Sequence, residues 1–138
     1  VGHRLMEGHH YQRSRMAQAH ENINELYLAL LTGDLAKFIV VVENEALSLH
    51  AMMMTSNPSF LLLKPNSLEL ISRIRHFREK SQIPVCFTID AGPNIHLLYF
   101  QENELIVKAF IESELLAFCE NGKWIDDRIG TRPERLDN

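Results

Sequence analysis

The stretch Pro84-Val85-Cys86-Phe87-Thr88-Ile89-Asp90-Ala91-Gly92-Pro93-Asn94-Ile95-His96-Leu97-Leu98-Tyr99 constrains this chain more than any other. Two runs of β-branched, aromatic and aliphatic residues flank Ala-Gly-Pro-Asn, and those four residues are turn formers. Proline presets φ for the first corner of a turn, and asparagine tolerates a left-handed second corner. The pattern predicts a β-hairpin with a loop longer than the minimal two residues. Side chains alternate along a strand, so Val85, Phe87 and Ile89 point one way and Cys86, Thr88 and Asp90 the other. A carboxylate thus stands at a strand end, close to Gly92, which leaves room for a ligand to approach the backbone. Pattern alone leaves Asp90 two readings: a reactive carboxylate beside an open turn, or an edge residue that caps its own turn.

Around the hairpin the spacing is mostly helical. From Met16 to Leu31, apolar residues at Ile23, Leu26, Tyr27 and Leu30 form a stripe, with Glu21, Asn22, Asn24 and Glu25 largely opposite. Gly33 suits a left-handed helix end and Asp34 the N-cap of the next helix, so a short loop joins an antiparallel pair. The second helix is expected from Leu35 to about Met54, with Leu35, Phe38, Ile39, Val42, Ala46, Leu49 and Met53 on its apolar face. Val40-Val41-Val42 has strand propensity, but the helical period and the flanking Glu43, Glu45 and His50 decide for helix. Met52-Met53-Met54 reads as core filler, with a pocket lining as the alternative. Phe60 to Leu63 is a short buried connection. A third helix opens at Pro65, with Asn66 as N-cap and Glu69 completing a capping box; Leu70, Ile71, Ile74 and Phe77 face inward, and Arg73, Arg75, Arg78, Glu79 and Lys80 mostly outward. After the hairpin, Leu105, Ile106, Ala109, Phe110 and Leu115 give a helix over 102–116. Lys123 to Ile129 alternates as a third strand, and 131–138 is a flexible tail. Helices must cover one sheet face, since Val85, Phe87, Ile89, Ile95 and Leu97 need burial, so the fold class is α+β.

The totals exclude several classes. The chain's 138 residues suffice for one domain with a modest core, and the 46% hydrophobic and 23% charged content is ordinary for a globular protein. A net charge of -4 gives no electrostatic footprint for nucleic acid or an anionic membrane. No apolar run approaches the roughly 20 residues that span a bilayer. His3, His9 and His10 lie close together but lack metal-ligand spacing, and no metal site is expected. Cys86 and Cys119, without Cys-x-x-Cys spacing, read as reduced, buried thiols of a cytosolic protein, a disulfide being the alternative.

Thr88-Ile89-Asp90-Ala91-Gly92-Pro93-Asn94 resembles the T-x-D-A-G-P-N segment of the diphosphomevalonate decarboxylases, members of the GHMP kinase superfamily. The likeness extends through Asn44-Glu45-Ala46-Leu47-Ser48-Leu49-His50-Ala51 and Thr55-Ser56-Asn57-Pro58. It covers nearly the whole chain and weakens after Glu120. The resemblance implies a GHMP-kinase-type C-terminal domain: a ferredoxin-like antiparallel sheet with helices on one face, the other face turned toward an active-site cleft. It implies that 1–138 form one C-terminal domain of a larger enzyme whose N-terminal, ATP-binding portion is absent here. Asp90 maps onto the family's catalytic aspartate, with Ala91 and Gly92 beside the substrate, and is expected at the end of a central strand.

The implied activity of the intact enzyme is the ATP-dependent conversion of mevalonate 5-diphosphate to isopentenyl diphosphate. ATP and Mg2+ are expected to bind mainly through the absent portion. A cytoplasmic homodimer, without nucleic-acid or membrane partners, is implied as well. The family's serine and arginine contacts to the substrate diphosphate fall in or before the segment beginning at Gly2, and His3 stands where many relatives have methionine. Two alternatives are a decarboxylase of mevalonate 5-phosphate and a non-catalytic binding or oligomerisation module. Asp90 discriminates against the module, because asparagine would serve a mere turn.

Overall fold

The computed structural model describes residues 8–130. His3, the chain start and the expected 131–138 tail lie outside the described residues. Helix α1 spans Gln12–Thr32 and α2 spans Leu35–Met54. Between them Gly33 adopts φ 70°, the left-handed geometry that glycine takes without strain, and its N–H closes on the Ala29 carbonyl. Asp34 caps α2 by accepting the Lys37 N–H at 3.0 Å. The two-residue link makes α1 and α2 antiparallel neighbours.

The apolar stripe of α1 is largely exposed: Ile23 is 63%, Tyr27 62% and Leu30 64% accessible, while Leu26 is half-buried. Buried Ala29 and the half-buried polar residues Arg15, Gln18 and Asn22 share the opposite side. There Arg15 pairs with Glu45, Asn22 donates to Glu45 at 2.7 Å, and Gln18 donates to Ser48 at 3.3 Å. The side of α2 that meets α1 is itself polar, and hydrogen bonding across the crossing outweighs the apolar period of α1.

Helix α3, Pro65–Ser81, starts with proline at its first position. Lys64 precedes it as N-cap, not Asn66, and the Ser67 hydroxyl accepts the Lys64 N–H at 3.3 Å. Asn66 reaches elsewhere and donates to the Phe118 carbonyl at 3.0 Å. Strands β1 (Val85–Ile89) and β2 (Ile95–Tyr99) pair antiparallel, with Val85 opposite Tyr99, Phe87 opposite Leu97 and Ile89 opposite Ile95. Helix α4, Glu104–Phe110, continues through a wider π turn at Ile111–Leu115.

The core gathers Ala46 of α2, Ile71 and Ile74 of α3, Val85, Phe87 and Ile89 of β1, Val107 and Phe110 of α4, and Ile111 and Leu115 beyond it. Burying each large apolar side chain contributes about 1.5–3 kcal/mol. Phe77 stacks on Phe110 with ring centroids 4.0 Å apart, and Leu70 and Trp124 pack against the same cluster. On α4, Leu105 and Ile106 point outward, and Val107 takes the inward place.

The α+β class with an antiparallel hairpin and covering helices is thus present. The third strand is not: among the described residues the sheet has two strands. Over Lys123–Ile129 the alternation has no face to bury, since Ile125 and Ile129 are both exposed. That segment is tied to α4 by side chains instead, Lys108 to Asp126 at 2.6 Å and Arg128 to Glu104 at 2.9 Å. β1 is accordingly one strand of a pair, not a central strand.

Candidate functional site

Alternation places the Thr88–His96 and Cys86–Leu98 pairs on the sheet side away from the core. Asp90 follows β1 directly, and its carboxylate is 88% exposed. It is absent from the core, as the strand pattern predicts. His96 Nε2 lies 3.5 Å from Asp90 Oδ2, an ion pair when the imidazole is protonated. Among the described residues no hydrogen bond runs from the Asp90 carboxylate to its own turn, so the capping reading loses its basis. Ala91 is exposed and Gly92 half-buried. A side chain added at Gly92 would meet nothing within 4 Å, so the space beside the turn is open. Asn94 does not adopt the left-handed corner expected of it. The loop is five residues long, Asp90–Asn94, and spreads the reversal over more dihedrals.

Two buried polar residues hold this loop, and neither stood out in the sequence as a site residue. His50 of α2 is 2% accessible, and its Nε2 lies 2.9 Å from the Asp90 carbonyl oxygen. A carbonyl only accepts, so Nε2 carries the proton and donates. Ser67 of α3 is also 2% accessible, and its hydroxyl donates to the Pro93 carbonyl at 2.8 Å. A signal for His50 existed in the chain: Glu43, Ala46 and His50 recur at three and four, on one helical face.

Glu43 is buried as well. Arg78 donates to its carboxylate at 2.5 and 3.2 Å and Arg75 at 3.3 Å, while Arg78 also donates to the Val85 carbonyl at 2.7 Å. Both arginines were expected mostly outward, on a solvated face; Arg75 remains 44% exposed, while the carboxylate of α2 draws Arg78 in to 23%. Cys86, on the outer side of β1, is nevertheless buried, and both cysteines are free thiols. Burial, with Glu43 adding and Arg78 opposing, pushes its thiol up from 9.0 to about 11.

Of the histidines grouped in the sequence, His9 contacts the Thr55 hydroxyl at 3.1 Å. Among the described residues no three His, Cys, Asp or Glu side chains gather as metal ligands. No described helix is long and apolar enough to cross a membrane.

A family model described as "Mevalonate 5-diphosphate decarboxylase C-terminal domain" matches residues 6–133. A phosphomevalonate decarboxylase of Haloferax volcanii is 28% identical over 94 residues, covering 68% of this chain and 29% of that protein. A mevalonate diphosphate decarboxylase structure from Legionella pneumophila superposes with a TM-score of 0.78 at 27% identity, covering 84% of this chain and 37% of that one. A complex of MDDEF with MVAPP, AMPPCP and magnesium superposes with a TM-score of 0.74 at 26% identity, covering 80% and 34%. The chain spans about a third of the length of each.

Proposed function

Because the chain belongs to the mevalonate 5-diphosphate decarboxylase C-terminal domain family, we propose that it is the C-terminal domain of an ATP-dependent diphosphomevalonate decarboxylase. Such an enzyme phosphorylates the tertiary 3-hydroxyl of mevalonate 5-diphosphate. Loss of phosphate and carbon dioxide then yields isopentenyl diphosphate. Asp90 is the base or positioning carboxylate for that hydroxyl, with the Ala91–Gly92 backbone beside the substrate.

The observation that carries this reading is the exposed Asp90 carboxylate on a turn it does not itself cap, inside the segment the family matches. An ordinary carboxylate, with a pKa of about 4, is a weak base toward an alcohol. Proton acceptance therefore comes late, once transfer to a loose phosphoryl group has acidified the oxygen. The same fixed charge stabilises positive charge developing at the tertiary carbon as the leaving groups depart.

The described residues offer no cluster of metal ligands, and the sequence has no glycine-rich phosphate loop. We assign ATP and Mg2+ mainly to the part of the protein outside this chain, since a phosphate cradle ordinarily needs such a loop. A homodimer and a cytoplasmic location belong to the same proposal.

The Haloferax volcanii relative favours a second reading, with mevalonate 5-phosphate as substrate. Turnover of the whole protein on each substrate decides between them.

The test of Asp90 is Asp90→Asn in the whole protein. Asparagine keeps the shape but loses charge and proton-accepting capacity. Turnover falls by roughly 100- to 10,000-fold or more, with KM within a few-fold. Near-wild-type turnover would remove Asp90 as the base.

A further inference from the structure

We infer that His50 and Ser67 are positioning residues, whose task is to fix the Asp90 carboxylate through the backbone of its turn. The inference rests on the reading of Asp90 given above.

The carboxylate is 88% exposed, with the half-exposed His96 ring 3.5 Å from it across the hairpin. Its position is set by the backbone that carries it. Among the described residues, no backbone–backbone hydrogen bond outside the strand ladder involves Asp90–Asn94. A free loop of this composition would sample many conformations. Two donors take the place of the missing backbone bonds. His50 donates to the Asp90 carbonyl at 2.9 Å and Ser67 to the Pro93 carbonyl at 2.8 Å.

Both donors are 98% buried. The Ser67 hydroxyl accepts the Lys64 N–H at 3.3 Å, which leaves its proton aimed at Pro93. His50 lies one turn beyond buried Ala46 on the same face of α2. A buried polar group is costly unless bonded, so each side chain and the carbonyl it meets satisfy one another. The two bonds grip the first and fourth residues of the loop, from two different helices. Displacing a reacting group by about 1 Å can cost roughly 100-fold in rate.

The test uses the whole protein that carries this chain, assayed with Mg–ATP and mevalonate 5-diphosphate. His50→Leu is expected to lower kcat by roughly 100-fold with KM within a few-fold. His50→Gln, whose amide nitrogen reaches near the place of Nε2, is expected to restore at least about tenfold of that. Ser67→Ala loses about tenfold. In an Asp90→Asn background His50→Leu adds no further loss, because the group it positions is gone.

A merely structural His50 gives the opposite pattern: a lower Tm with wild-type kcat, or a loss that multiplies with that of Asp90→Asn. Either result overturns the inference. Should His50→Leu fail to fold, His50→Gln and Ser67→Ala decide: wild-type turnover in Ser67→Ala overturns it, and a kcat loss at constant KM supports it.

One measurement reads the turn without the reaction. Amide resonances of Ala91 and Gly92 should move toward random-coil positions in His50→Leu, and unmoved resonances overturn the clamp. Wild-type turnover in Asp90→Asn defeats the base reading and its kinetic consequence, while the resonances still report whether His50 holds the turn.

Discussion

Cys86 shows how a single side chain senses the packing around it. It alternates to the outer side of β1, yet it is buried, with Glu43 and Arg78 close enough to act on its thiol. The folded pKa of about 11 lies above the unfolded 9.0, so between those values the folded state binds more protons. Stability associated with Cys86 is complete below pH 9 and is lost as pH rises to about 11. Unfolding free energy should fall by on the order of 1–3 kcal/mol across that window. Cys86→Ala should flatten this component in urea titrations at several pH values; an identical slope in both proteins would refute it. Asp90 was legible because alternation and turn chemistry act locally. His50 was legible only as a residue on the Glu43–Ala46 face of its helix; its partner, a carbonyl 40 positions away, leaves no local signal. Glu43 hid in the same way.

At the scale of elements, α2 is the helix that decides the arrangement. Its boundaries follow from Asp34 and the long apolar period, and they match the sequence expectation. Its neighbours do not follow, since α2 is covered on more than one side, by α1 and by the hairpin with α3. Glu43 is the fastening. It ties α2 to Arg75 and Arg78 of α3, and Arg78 ties both to β1 through Val85. Breaking a fully buried pair typically costs about 3–5 kcal/mol, and here Glu43 is buried while Arg78 and Arg75 are 23% and 44% exposed, which puts the cost at the low end. Glu43→Ala should lower the unfolding free energy by about 3 kcal/mol, and Glu43→Gln by less, because acceptance by one oxygen survives. A loss under about 1 kcal/mol in Glu43→Ala by urea unfolding would show that solvent already satisfies the arginines. The failure of the expected third strand belongs to this scale too. Period two is necessary for a strand but not sufficient, and the Lys123–Ile129 side chains pair with α4 instead.

The whole molecule is a hairpin with helices, and about a third of the length of the proteins it resembles. Class and core were readable because burial dictates them. The α1 helix was readable too, but an apolar helical period says only that a face is apolar, not which neighbour meets it. Calorimetry of this chain with Mg–ATP, with helical circular dichroism as the folding control, should show no micromolar isotherm. The glycines are scattered singly and form no phosphate cradle. A clear micromolar isotherm would place the nucleotide site within these residues.

The Asp90–Asn94 turn has a mechanical consequence at this scale. It is a short beam resting on two supports, one on α2 and one on α3. The contacts at its ends are 2.9 and 2.8 Å long, and hydrogen bonds weaken steeply much beyond about 3.2 Å. A slide of one helix past the other by half an ångström therefore tilts the beam or lifts it from a support. The carboxylate at its tip then swings, although nothing has touched it. Glu43, bonded to Arg75 and Arg78, ties the same two helices together.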